Sequence, residues 1–386
     1  MEYYIGEGKA SRRAYGFDEI ALAPSIITVN PDDIDISFEI GGIKLQLPII
    51  ASAMDGVVNP KMAIELSKLG SLGVLNLQGV WTRYENAEEV LGKIAAAGKS
   101  EYVSLMQKIY QEPIKDELVI KRIKQIKAAG AYAAVSSIPQ EAKHLGKIAK
   151  KAGADIFVLQ STVISTKHKS KTSELLVISE FCKEMEIPVI IGNCATYDVA
   201  LDLMKTGVCA ILVGIGPGAA CTSRGVLGIG VPMATAIADA SAARETYLKE
   251  TGKYIPVIAD GGLVVSGDIC KAIACGADAV MMGSPIAKSK EAPGLGFHWG
   301  MATPSATLPR GSRINVGTIG TIKEILYGPA KFDDGSMNFA GALKTSMGTM
   351  GASNLKEMQK VEVIIAPSIL TEGKVYQKAQ SLGMYK

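Results

Sequence analysis

The chain has 386 residues with 41 basic and 38 acidic side chains, a formal charge of +3 with both signs mixed along its length. That balance excludes a nucleic-acid binder built on a basic face. Apolar residues make up 48% but aromatics only 6%, the usage of parallel strands buried on both faces. No apolar run approaches the roughly 18 residues of a membrane span, and MEYYIGEGKASRR carries no secretory core, so a cytoplasmic protein without membrane contact is expected.

In chain order, eight short strand-like runs recur: PIIASA (48–53), SLGVLNL (71–77), AYAAVSS (131–137), DIFVLQS (155–161), PVIIGN (188–193), CAILVGI (209–215), IPVIADG (255–261) and AVMMGS (279–284). Helical patterns such as IKRIKQIKAAG and AKHLGKIAKKAG lie between them and close on Gly130, Gly153, Gly207 and Gly276, which suit the left-handed helix cap. Strand, helix and capping glycine in repetition predict a (β/α)8 TIM barrel with a C-terminal extension, a single domain over 1–386. A doubly wound open sheet is the alternative, but eight strands of similar length close naturally. Three spacings break the repeat: two helical stretches in 78–130, a long segment 216–254, and about a hundred residues after strand eight.

The six cysteines (Cys182, Cys194, Cys209, Cys221, Cys270, Cys275) show no CxxC spacing, and His144, His168 and His298 are scattered, which excludes a zinc framework. Five of the cysteines fall in strand or helix patterns and read as packing residues. Cys221 lies in the glycine-rich loop GIGPGAACTSR, with Arg224 three residues on; positive charge nearby favours a thiolate. The other strand ends carry SAMD, GNCAT, ADGG and MGS. Glycines at the tops of strands seven and eight form the usual barrel phosphate site, and Asp260 can accept bonds from two adjacent hydroxyls, as on a ribose. Phosphate plus ribose points to a nucleotide.

The segments YGFDEIALAP, LPIIASAMD, IGNCAT, GIGPGAACTSRGVLGIGVPMATAI, VIADGG, AVMMGSPIAKSKEAPG and GFHWGMA, in this order, resemble the IMP dehydrogenase and GMP reductase family. The layout is similar to its short branch, with no CBS insertion after strand two. The resemblance implies that Cys221 is the nucleophile that forms a thioimidate at purine C2. It implies nucleotide contacts from Ser52 and Met54, ribose binding by Asp260, and a phosphate cradle of Gly262, Gly283 and Ser284. His298 stands where a phosphate-binding tyrosine is common, and Gly300 and Met301 would bracket the base. Carbonyls of Gly216, Gly218 and Cys221 would ring a monovalent cation, usually potassium. Asn193 and Arg224 would support the cysteine loop, and a homotetramer or higher multiple of four is expected.

Two family activities share this intermediate. The dehydrogenase oxidises IMP with NAD and needs an Arg-Tyr pair on a flap to activate water; the reductase converts GMP to IMP with NADPH and needs a hydroxyl and a carboxylate for the leaving amine. Here the flap, 295–320, carries ATPSATLPRGSRIN, with Arg310 and Arg313 but no tyrosine. Ser223 and Glu291 match the reductase's proton-transfer positions. Ala219 replaces a phosphate-binding serine and Gln160 a cofactor-binding aspartate, so Gln160 and Ser161 are expected at the cofactor, with Lys167, Lys169 and Lys171 near an adenosine 2′-phosphate. The expectation is NADPH-dependent GMP reduction, with IMP oxidation or a non-catalytic nucleotide-binding regulator as alternatives.

Overall fold

A computed structural model describes residues 3–171, 176–366 and 372–385. Eight parallel strands close in chain order into one barrel: β1 (Ile49–Ala51), β2 (Leu72–Asn76), β3 (Ala134–Ser137), β4 (Ile156–Gln160), β5 (Val189–Cys194), β6 (Ala210–Val213), β7 (Val257–Asp260) and β8 (Ala279–Met282). All eight coincide with the runs read from the sequence. Closure comes from β8 on β1, with Val280 opposite Ile49 and Met282 opposite Ala51. Ile50, Val135, Val158, Ile190, Ile211 and Ile258 are fully buried, because a parallel barrel strand has helices on one side and packed side chains on the other.

The helices follow from the same patterning. In α5 (Pro139–Ala152), Ala142, Leu145, Ala149 and Ala152 fall on one buried face, Pro139 occupies the first turn, and Gly153 ends the helix at φ 92°. Proline at the start and glycine past the end is the expected asymmetry, and Lys150 and Lys151 in the last turn complement the negative helix end. Gly130, Gly207 and Gly276 also take positive φ.

Between β2 and β3 the sequence suggested two helical stretches, but the structure has three: α2 (Ala87–Ala96), α3 (Tyr102–Tyr110) and α4 (Asp116–Ala128). The crossover helix is α4, which packs on α1 (Pro60–Lys68) and α5. Helices α2 and α3 are additional. Before β5 comes α6 (Ile178–Met185) and past it α7 (Tyr197–Met204); past β6 come the short α8 (Ser223–Leu227) and the long α9 (Met233–Thr251).

The N-terminal end of the barrel is covered by an antiparallel hairpin, Phe38–Ile40 on Ile43–Leu45, whose apolar residues are buried. Below β8, Asp278 gathers Arg244 Nη1 at 2.8 Å, Tyr254 Oη at 2.7 Å, the Val257 amide at 2.9 Å and Lys356 Nζ. Lys356 belongs to the trailing hundred residues, so this carboxylate fastens that extension to the barrel. A strand of the same extension, Val363–Ile365, pairs with Ile20–Leu22. Among the described residues no helix is long and apolar enough to cross a membrane.

Candidate active site

Strands β6 and β7 meet at their C-terminal ends without a side chain between them. A Cβ on Gly214 would stand 2.1 Å from the Asp260 carbonyl oxygen, and one on Gly262 would stand 2.9 Å from Pro217 Cβ. Gly216, Gly261 and Gly262 take φ of 81°, 87° and 74°, which side chains rarely adopt. The cysteine loop is thereby laid against the ADGG turn.

Within that loop the Cys221 amide donates to the Gly218 carbonyl at 2.9 Å, closing the turn 218–221, with Gly216 two residues before it. The loop is also stitched to the flap. Cys221 bridges Gly311 in antiparallel fashion, the Ser312 amide donates to Ala220 at 2.8 Å and the Thr222 amide to Arg310 at 3.2 Å. Ser223 opens α8, 1% exposed, with its hydroxyl lacking a hydrogen-bond partner. Arg224, expected to support the cysteine loop, donates its guanidinium to the Val231 carbonyl at 3.2 Å, and its stem lies over Gly216 and Gly230. Burial pushes the thiols of Cys182, Cys270 and Cys275 up to about 11, and those of Cys194 and Cys209 to about 12, as packing residues should be.

Three predicted residues from separate strands meet at the mouth. Asp260 Oδ2 accepts from Asn193 Nδ2 at 2.8 Å and from Gln160 Nε2 at 3.0 Å, while Gln160 Nε2 lies 3.3 Å from Asn193 Oδ1. Burial raises the Asp260 carboxyl to about 6, against the two amide hydrogen bonds; no cation offsets it. Both hydrogen bonds fall on Oδ2. Ser161 exchanges backbone bonds with Gly192 and Asn193 at 2.8 and 3.0 Å, which fixes the exit of β4. Lys167, Lys169 and Lys171 are exposed on the segment that follows.

Across the mouth, Ser284 Oγ and His298 Nε2 are 2.8 Å apart, joining two residues assigned to the phosphate. His298 is 2% exposed, its Nδ1 is unpartnered, and burial lowers it to about 4, so the ring is neutral near pH 7. Met54 packs under Gly283, whose Cβ would fall 2.8 Å from its sulfur, and the Ser52 amide donates to Met282 at 3.0 Å. Gly300 and Met301 lie in a hairpin whose strands are Phe297–His298 and Ile314–Asn315; the Thr303 amide donates back to Gly300 at 3.0 Å. The residues 299–313 therefore form the loop of that hairpin.

Two of the residues considered for the reaction have partners elsewhere. Glu291 does not join Ser223: its Oε2 accepts from the Ile322 amide at 2.8 Å, at the N-terminus of the helix Ile322–Tyr327, where orphan amides attract carboxylates. Arg313 is spent elsewhere, donating to the carbonyls of Ile94, Ala95 (3.2 Å) and Ala97 (2.8 Å) at the end of α2. Arg310 keeps a buried Nε without a partner and is the flap arginine beside the cysteine loop.

Sequence reasoning missed Asp55, Tyr110 and Trp299. Asp55 Oδ2 accepts from the Val80 amide at 2.9 Å and from Tyr110 Oη at 2.5 Å, and Trp299 Nε1 donates to Tyr110 Oη at 2.8 Å. The available signal was the buried carboxylate inside SAMD and the tryptophan directly before Gly300, one of two in the chain.

With this geometry in place, the comparisons with known proteins are informative. Residues 14–376 match the model of the IMP dehydrogenase / GMP reductase domain. An uncharacterized oxidoreductase of Mycolicibacterium smegmatis is 39% identical over 370 residues, 94% of this chain and 99% of that protein. The inosine-5′-monophosphate dehydrogenase of Methanocaldococcus jannaschii is 28% identical, covering 93% of this chain and 94% of its own length. The crystal structure of an IMP dehydrogenase/GMP reductase-like protein from Corynebacterium glutamicum superposes with a TM-score of 0.90 at 37% identity, over 94% of this chain and 97% of that one. Barrel, cysteine loop and match over most of the chain lead to one conclusion: this protein is a member of the IMP dehydrogenase / GMP reductase family.

Proposed function

We propose that the chain deaminates GMP reductively to IMP and ammonia, using NADPH. In this reading the 5′-phosphate rests on Gly262, Gly283, Ser284 and His298, the ribose hydroxyls on Asp260, and the base between Ser52, Met54, Gly300 and Met301. A neutral His298 donates or accepts a hydrogen bond there without adding charge. The Cys221 thiolate adds to C2, the 2-amino group leaves as ammonia with the protons it requires, and the C–S bond of the resulting thioimidate breaks as C2 gains hydride, returning the thiolate. Ser223, buried and unpartnered two residues after the nucleophile, is the hydroxyl that passes a proton to the leaving amine. Glu291 is held on Ile322, so the proton route rests on Ser223.

A reduced nicotinamide dinucleotide, when bound, supplies the hydride; Gln160 and Ser161 would meet its nicotinamide half, and Lys167 and Lys169 its adenosine 2′-phosphate. The backbone oxygens of Gly216, Gly218 and Cys221 would hold a monovalent cation such as potassium. An all-carbonyl donor set suits a hard ion of low charge, and the Gly218 oxygen, which already accepts from Cys221, has a second lone pair to give.

The observation that carries the choice of reaction is the commitment of Arg313 to the end of α2. On a flap with no tyrosine, that leaves hydrolysis of the intermediate without an Arg-Tyr pair. The unpartnered Nε of Arg310 favours the second reading, NAD-dependent oxidation of IMP, because a free donor beside Cys221 could orient water. Purified protein is assayed with GMP plus NADPH and with IMP plus NAD, following absorbance of the reduced cofactor. Consumption of NADPH with GMP alone supports the proposal, and production of NADH from IMP overturns it. Nucleotide binding with neither turnover identifies a regulator.

A further inference from the structure

A barrel of this kind needs only α4 to return the chain from β2 to β3, so α2 and α3 require another explanation. They touch the flap hairpin at three places. Tyr110 of α3 accepts the indole N–H of Trp299 at 2.8 Å, directly before Gly300, and donates its own hydroxyl to Asp55 at 2.5 Å. One turn earlier on the same face, Gln107 Nε2 donates to the Ser305 carbonyl at 2.9 Å. From the other side, the Arg313 fork caps α2 through Ile94, Ala95 and Ala97, and its guanidinium lies between the rings of Tyr102 of α3, at 4.9 Å, and Phe297, at 4.6 Å.

The first of these contacts is costly to keep. Asp55 is 1% exposed, its Oδ1 has no partner, and a buried carboxylate so poorly matched normally destabilises. Burial raises it to about 6 and holds the Tyr110 hydroxyl well above its ordinary range, so near neutral pH the carboxylate accepts and the phenol donates. The order of donors is then fixed along Trp299, Tyr110 and Asp55. Each group has one role, and the indole has one orientation. Because residues 310–312 are paired with the cysteine loop, whatever holds the base of the hairpin also holds its cover over Cys221.

We infer that α2 and α3 are the dock of the 299–313 hairpin, and that Tyr110 is a positioning residue, acting through Trp299 on the segment Gly300–Met301 and on the cover of Cys221. The inference stands on geometry; only its kinetic arm rests on the proposed function.

The test is site-resolved alkylation of the full chain by iodoacetamide, read by mass spectrometry. Tyr110→Phe keeps the ring and removes one oxygen; Trp299→Phe removes the donor on the other side. Each should speed modification of Cys221 about five-fold, the size expected for one lost hydrogen bond, while Cys182 and Cys209 react as in the wild type. The double variant should react no faster than the faster single, since both remove the same link. Under GMP and NADPH, the nucleotide KM should rise by about the same factor with kcat changed less than about two-fold. Unchanged Cys221 reactivity in both singles overturns the inference, as does equal acceleration at Cys182 and Cys209, which reports general loosening. If neither nucleotide pair turns over, the proposed function fails while the alkylation result still decides the dock.

Discussion

Two carboxylates at opposite ends of the barrel, Asp278 buried and Asp260 half-buried, set a structural role beside a proposed binding one. Below β8, Asp278 is surrounded by Arg244, Lys356, Tyr254, Gln359 and a backbone amide. Burial alone would raise its carboxyl, but the charges of Arg244 and Lys356 with the surrounding hydrogen bonds hold it below the ordinary range. At the top of β7, Asp260 has two amides on one oxygen and sits raised to about 6. The lower carboxylate has every lone pair spoken for by its own chain, whereas the upper one is left half-used and tolerates the cost, as expected where barrel chemistry sits at the C-terminal face.

The contrast can be broken by substitution at either end. Cys221→Ala should reduce turnover at least about 10³-fold with nucleotide affinity retained in calorimetry and the melting temperature unmoved; a large loss of stability would blur the division. Asp278→Ala should do the reverse, costing about 3–5 kcal/mol in urea unfolding because Arg244 is left buried without its partner, with nucleotide affinity intact in the folded fraction.

Asp260→Asn probes the sign of the difference. A carboxyl raised from 3.8 to about 6 favours the folded state when protonated, a contribution present below about pH 4 and lost as pH rises through about 6. The asparagine variant should therefore match the wild type in stability near pH 4 and exceed it, by about 3 kcal/mol, at pH 7.5, while losing ribose binding. A variant less stable than the wild type at pH 7.5 would place Asp260 with Asp278. Smallest of all, Glu89→Gln removes an exposed pair with Lys93 on α2 at 2.6 Å and should leave the urea midpoint unchanged, as surface pairs generally contribute little.

The barrel was legible because its signal is local. The strands within runs such as PVIIGN and CAILVGI are buried throughout, and the glycines that end helices are required by backbone conformation rather than by a distant partner. Placing residues at strand ends brought Gln160, Asn193 and Asp260 to one rim, but their mutual hydrogen bonds, and the contact of Ser284 with His298, came only from the structure. What escaped depends on partners far along the chain. Arg313 finds its carbonyls 216–219 residues earlier, and Tyr110 meets Asp55 across 55 residues; no periodicity marks either. Glu291 was read from a motif, but a motif does not reveal that a helix amide lies within its reach.

The absence of a side chain at Gly214 has a mechanical consequence. Because the chain at Gly214, just past β6, touches the Asp260 carbonyl backbone to backbone, the base of the loop that carries Cys221, the proposed nucleophile, is held against Asp260, the proposed ribose anchor, by a contact that no rotamer can adjust. One side of the cleft thus behaves as an anvil. A ligand of slightly different size must be accommodated by the opposite side, the hairpin that α2 and α3 hold in place, so selectivity among purine nucleotides would be adjusted by changing the hinge side rather than the loop that carries the thiol.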